Sequence, residues 1–149
     1  MVIVTPLSRW QLSTQEEEKI KDVFGKKLAE ITDAGEMRSM MKTLLSRSEY
    51  LMLAKRLVAF VLIEEGYPDV EIGRILHVTR ATANRFRLTY RYAKEKNEPL
   101  VRIVHEVRAS EVMKEILKSL VKYAVAAAGG RIPRKGIFGL VYHASMHDT

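Results

Sequence analysis

Residues 71–90 read EIGRILHVTRATANRFRLTY. Helical spacing of apolar residues runs on both sides of His77-Val78-Thr79, three residues that suit a turn better than a helix. Asp69 stands where it can cap a short helix through Leu76, and Thr79 where it can cap a second running to about Tyr92. Ile72 and Leu76 from the first segment and Ala83 and Phe86 from the second would face inward, with Val78 filling the turn between them. Gly73 is the tiny residue needed where two short helices meet at a steep angle. His77 occupies the turn position where glycine is commonest because a left-handed backbone is required, a conformation histidine reaches at moderate cost. Two short helices about such a turn are the pattern of a DNA-binding helix-turn-helix.

The second helix, with Thr79 at its head, would show Arg80, Ala81, Thr82, Asn84, Arg85, Arg87 and Arg91 to solvent. Arginine and asparagine read guanine and adenine edges in the major groove by two hydrogen bonds each. Arg80, Arg85, Arg87, Arg91, Lys94 and Lys96 stand against the single acid Glu95, a local charge of +5 within a chain whose formal charge is +7. A basic stripe of this kind neutralises phosphates and makes binding salt-sensitive. Basic charge by itself suits nucleic acid or an anionic membrane. Base-reading side chains beside the stripe favour double-stranded DNA.

Upstream, Ser13-Thr14-Gln15-Glu16 has the form of a capping box and opens a helix through about Ile31, with Ile20, Val23, Phe24, Leu28 and Ile31 on one stripe. Trp10 could pack at its start. Asp33 or Thr32 would cap a shorter helix carrying Met37, Met40, Met41, Leu44 and Leu45, the methionines serving as core filler. Ser46-Arg47-Ser48-Glu49 is a second capping-box form, and Gly66 followed by Pro68 marks a stop, which brackets a helix over about 47–65. Its apolar residues, from Leu51 and Leu53 to Leu62, cover so much of the circumference that it is expected to be central and packed on more than one side.

Beyond Asn97-Glu98-Pro99, Val112 to Val125 form a wide helical stripe over about 110–128, with a break or kink near Ser110. That helix is expected to pack on the core or on a partner subunit, with a second dimer contact the favoured reading. LVRIVHEVR, residues 100–108, is rich in β-branched residues and fits a helix or an extended segment. After Gly129-Gly130, the stretch RIPRKGIFGLVYHASMHDT suggests a turn, with or without a strand, and a loose tail; its Arg131, Arg134 and Lys135 suit a basic arm on DNA or a solvated tail. The expected fold is all-α: a helical dimerisation and DNA-binding domain over 1–97, and an extension over 98–149 ending in a loop or short β-turn tail.

At 149 residues, with 47% apolar and 29% charged, the chain can bury a core of useful size. It has no cysteine, which excludes disulfides and thiol chemistry and fits a cytoplasmic location. No apolar run approaches the length of a membrane span, and the N-terminus lacks a charged-then-apolar signal pattern. His77, His105, His143 and His147 have no ligand-like spacing, apart from His143 and His147 at i, i+4. No phosphate-cradling glycine loop and no nucleophile beside a base is present. The expectation is therefore a non-enzyme with no metal and no cofactor.

The span 45–92 resembles the Trp repressor-like helix-turn-helix family through Leu45-Ser46-Arg47-Ser48-Glu49, Arg56, the Gly66 stop, and Ala81-Thr82-Ala83-Asn84-Arg85. Residues 10–44 lie where that family has its dimer-forming helices. The resemblance implies a homodimer presenting two recognition helices to successive major grooves. It implies base contacts from Arg80, Ala81 and Asn84 and a phosphate contact from Thr82. In tryptophan-binding members two arginines sandwich the indole, and their matches are Arg56 and Arg85; Ser46 and Thr89 match residues that hold the amino acid's polar end. Phe86 stands where those members have glycine, so its ring would fill the indole space, and the loop Tyr67-Pro68-Asp69 is one residue shorter. Arg56 could instead pair with Glu71 or Glu49.

Two function classes follow. One is a homodimeric transcriptional regulator, a repressor by promoter occlusion without tryptophan as corepressor, in which Arg80 and Asn84 specify while Arg85, Arg87 and Arg91 position. The other is an RNA- or protein-interaction module that reuses the same helices. Whether a small-molecule effector binds is left open.

Overall fold

Local capping decides most helix starts in the computed structural model, which describes residues 12–127 and 129. Seven α-helices and no strand are found among these residues: α1 (Thr14–Glu30), α2 (Ala34–Leu44), α3 (Arg47–Glu64), α4 (Asp69–Leu76), α5 (Arg80–Glu95), α6 (Pro99–Ala109) and α7 (Glu111–Ala127). The chain is all-α over the described residues. None of these helices is long and apolar enough to cross a membrane. Trp10, the basic stretch around Arg131, Arg134 and Lys135, and the pair His143 and His147 lie outside the described residues.

The chain divides into two units, Met1–Leu51 and Met52–Thr149. In the first, Ser13 and Glu16 form the expected capping box: each side chain bonds the other's backbone N–H, at 3.2 and 2.9 Å. Asp33, rather than Thr32, caps α2 through a 2.8 Å bond from the Glu36 N–H. The Ser46 side chain accepts from the Glu49 N–H, and Glu49 accepts from the Ser46 N–H at 2.7 Å. No residue of α1 or α2 is buried. Ile20, Val23 and Phe24 stay largely exposed, and Met37, Met40 and Met41 are only half-buried.

The second unit holds the core. It is built around Ala59, Phe60, Val61 and Leu62 of α3, Ile72, Ile75 and Leu76 of α4, Ala83, Phe86 and Tyr90 of α5, Val104 of α6, and Met113, Leu117 and Val121 of α7. Phe60 ties the first and third of these helices together: its ring stacks on Tyr90 at 5.1 Å and meets Phe86 edge-on at 6.4 Å. Packing on more than one side, as expected, holds for this C-terminal half of α3, where four consecutive residues are buried; Leu51 and Leu53, counted in the same packing, are instead about half exposed.

Residues 99–109 are helical, which settles the helix-or-strand alternative. Pro99 starts α6 at a position where its missing N–H costs nothing, and Val104 is fully buried on its inner face. Ser110 ends α6 and its hydroxyl accepts from the Met113 N–H, so the expected break is a cap between two helices. The α7 stripe is used inside this unit and not, as favoured from the sequence, as a second dimer contact: α7 packs on α4 and α6, burying Met113, Leu117, Val121, Ala124 and Val125. Val112, Ile116 and Tyr123 remain on its outer face.

Candidate nucleic-acid interface

The α4–α5 corner is set by one close approach. A Cβ added at Gly73 would lie 2.8 Å from the Val78 carbonyl oxygen, closer than real side chains come to a backbone. Gly73 therefore lets the turn fold back onto α4. The reversal itself falls at His77, whose φ of 51° and ψ of 53° are left-handed, while the Val78 N–H bonds back to the Gly73 carbonyl at 3.0 Å. Thr79 then caps α5 by accepting from the Thr82 N–H at 3.1 Å. Upstream, Gly66 with φ of 84° ends α3 in the same left-handed way, and the Tyr67 N–H returns to Leu62.

Asp69 does not cap α4 as expected from the sequence. Pro68 holds the cap position, and Asp69 is the first helical residue with its carboxylate turned to α5. One oxygen accepts from Asn84 Nδ2 at 3.0 Å and the other from Arg87 Nε at 2.6 Å. The Arg87 guanidinium also donates to the Tyr67 carbonyl. Three donors thus converge on the α3–α4 connection. Burial works to raise the Asp69 carboxyl, but the bonds from Asn84 and Arg87 and the charges of Arg87 and Arg80 outweigh it and hold it below its usual value.

Of the residues expected to face outward, Arg80, Ala81, Asn84, Arg85 and Arg91 are exposed, while Thr82 and Arg87 are half-buried. Arg87 is engaged within the chain, its side chain only 25% exposed. Inward, Ala83, Phe86, Tyr90 and Ala93 are buried in sequence along the opposite face of α5. The first turn of α5 contains no acid, whereas those of α1, α2, α3, α4 and α7 each contain at least one. The positive end of α5 and Arg80 therefore meet no acid within the helix's own first turn, and the carboxylate that faces them is Asp69 of α4.

The residues matched to a ligand pocket divide between the units. Ser46 belongs to the first, as the cap of α3, and Arg56, Arg85 and Thr89 to the second. Arg56 makes neither of the ion pairs expected for it. Glu71 pairs with Arg74 and Glu49 with the Ser46 backbone, and the Arg56 guanidinium lies over the Phe86 ring, 5.6 Å from its centre. Phe86 is 5% exposed and fills the space behind α5 with its own ring. A shallow recess of about 360 Å³ in this unit is walled by Gly66, Tyr67, Pro68, Asp69, Val70, Arg80 and Arg87, without Arg56, Arg85 or Thr89.

Behind α5 lies an ionic cluster that the sequence does not announce. Glu65 is buried and paired with Arg108 of α6, and Glu64 accepts from Lys94 at 2.8 Å with His105 at 3.7 Å. Burial opposes ionisation of Glu64, but Lys94 outweighs it and its carboxyl is held low. Burial and then the Glu64 carboxylate push the Tyr90 phenol far above its usual range. These pairs fasten the back of α5 and the C-terminal half of α6 to the end of α3. No family model, no curated protein and no solved structure matches this chain.

Proposed function

We propose that the chain is a sequence-specific DNA-binding transcriptional regulator in which α4 and α5 form a Trp repressor-like helix-turn-helix and α5 enters the major groove. The observation that carries this reading is the outer face of α5. Arg80, Asn84, Arg85 and Arg91 are exposed on a helix whose first turn has no acid and whose inner face is locked in the core. Such a face offers base-edge donors and phosphate-binding cations from a rigid support. In this arrangement Arg80 and Asn84 read bases, Thr79, Ala81 and Thr82 approach the strand beside them, and Arg85 and Arg91 bind phosphates. Arg87 acts from behind by holding the corner.

The protein works as a homodimer and represses by covering a promoter. Exposed Ile20, Val23 and Phe24, at helical spacing on α1, support a surface that a second copy covers. Tryptophan is not its corepressor: Phe86 occupies the space an indole would need, and Arg56 is committed to that ring.

Selection of duplexes from a random pool by the purified protein, with and without tryptophan, tests this reading. A two-fold symmetric motif unaffected by tryptophan is expected, together with a steep fall of affinity with salt. Recovery of no motif, or preference for structured RNA, would overturn it in favour of an interaction module built on the same helices.

A further inference from the structure

We propose that Asp69 is a positioning residue that fixes which hydrogen-bonding face Asn84 turns to DNA, and so sets a preference for adenine at one position of each half-site. The inference rests on α5 being the groove-reading helix. An asparagine amide has two N–H donors on one side and a carbonyl acceptor on the other, and an exposed one rotates to present either. A carboxylate only accepts. The amide nitrogen of Asn84 must therefore be the end that faces Asp69, 3.0 Å away.

With one N–H spent on Asp69, Asn84 has one donor and one acceptor left. That pair complements the N7 acceptor and N6 amino group of adenine. Guanine shows two acceptors on the same edge, and a pinned amide meets the second with its own carbonyl oxygen. Asp69 is itself immobile, because its other oxygen is held by Arg87 Nε at 2.6 Å and its side chain is only 17% exposed. The orientation is thus carried from the start of α4 through a rigid carboxylate to the outer face of α5. A negative charge at the edge of a DNA-binding surface weakens binding to every sequence. Its benefit is discrimination.

The test is the Asp69→Asn variant, whose amide accepts an Asn84 amide in either orientation. Binding is measured to the selected duplex, to the same duplex with guanine replacing that adenine, and to random duplex, in wild-type and Asn84→Ala backgrounds. The expected result is about a tenfold loss of adenine-over-guanine discrimination with a few-fold gain in affinity for random duplex. In the Asn84→Ala background the same substitution leaves discrimination unchanged, because the two residues act as one unit. Arg87→Met, which frees the second oxygen of Asp69 while leaving the carboxylate beside Asn84, lowers the melting temperature and loses part of the same preference. If Asp69→Asn does not fold, Asn84→Gln carries the amide past the carboxylate and is expected to lose the same discrimination.

Full discrimination in Asp69→Asn or Asn84→Gln, or an equal effect of Asp69→Asn without Asn84, would overturn the inference while leaving the DNA-binding reading intact. A wild-type protein that selects no duplex motif overturns both.

Discussion

Replacing Gly73 by alanine should destabilise the second unit, although the same change inside an ordinary helix stabilises. In a helix interior, alanine is favoured over glycine by about 0.5–1 kcal/mol. At Gly73 the new methyl would lie 2.8 Å from the Val78 carbonyl oxygen and 3.6 Å from the Arg80 nitrogen. The obstructing atoms are backbone, held by the Thr79 cap and the left-handed His77, so they cannot rotate away as a side chain would. Overpacking of this kind costs about 1–3 kcal/mol. The net expectation is a loss of about 1 kcal/mol, or a fall in melting temperature of about 4–8 °C for a unit of this size. Gly25 supplies the control, since it lies within α1 with nothing within 4 Å of an added Cβ. Gly25→Ala should slow hydrogen exchange in α1 and raise helix content, consistent with a gain of about 0.5–1 kcal/mol. Urea unfolding of the two variants beside the wild type reads both signs. A Gly73→Ala protein as stable as the wild type or more so would refute the claim that this glycine admits the turn.

Four further outcomes are expected. Asn84→Ala should relax base preference at one position of each half-site, whereas Arg91→Ala should weaken all duplexes about equally and reduce the salt slope by about one, as read from titrations at several salt concentrations. Arg108→Ala would leave the Glu65 carboxylate buried without its partner; since the Arg108 side chain is a third exposed, the loss is set at about 2 kcal/mol, below the full value for a buried pair, and thermal melting measures it. The Asp69 and Glu64 carboxyls are both held below their usual values, so their stabilisation is complete above the unfolded-state pKa and is lost as pH falls through the lower folded one. Unfolding free energy should therefore lose this contribution below about pH 4, less steeply in Asp69→Asn. A charge placed in the α1 stripe, as in Phe24→Asp, should weaken the proposed homodimer by at least about tenfold in sedimentation experiments, and a wild-type monomer or an unchanged dissociation constant would overturn the proposed α1 contact.

Local chemistry made much of the fold legible in the sequence. The boxes at Ser13 and Ser46 and the Asp33 and Thr79 caps act within three residues, so sequence alone contains donor and acceptor. Gly73 and His77 were legible for the same reason, as neighbours in one corner. Contacts between helices were not. Asp69 reads as a cap because it precedes a helix, yet its partners lie 15 and 18 residues away on a face that exists only once α4 and α5 have packed. Glu65 and Arg108, 43 residues apart, follow the same rule. For the candidate site, spacing identified the outer side of α5 but could not tell that Arg87 turns back to Tyr67 and Asp69. The β-branched run in α6 was ambiguous because propensity is weak beside the burial of Val104.

The buried residues of α5 also fix the helix's angular phase. Ala83, Phe86, Tyr90 and Ala93 recur at steps of three and four, and each residue along a helix turns by about 100°. A slip of one residue would drive arginines into the core, so α5 cannot roll to bring other side chains outward. Whatever the outer face reads, its angular setting is decided by aromatic packing against α3. Changes at Phe60 or Tyr90, which touch only the interior, are therefore expected to turn the outer face of α5 and, on the proposed DNA-binding role, to alter its sequence preference.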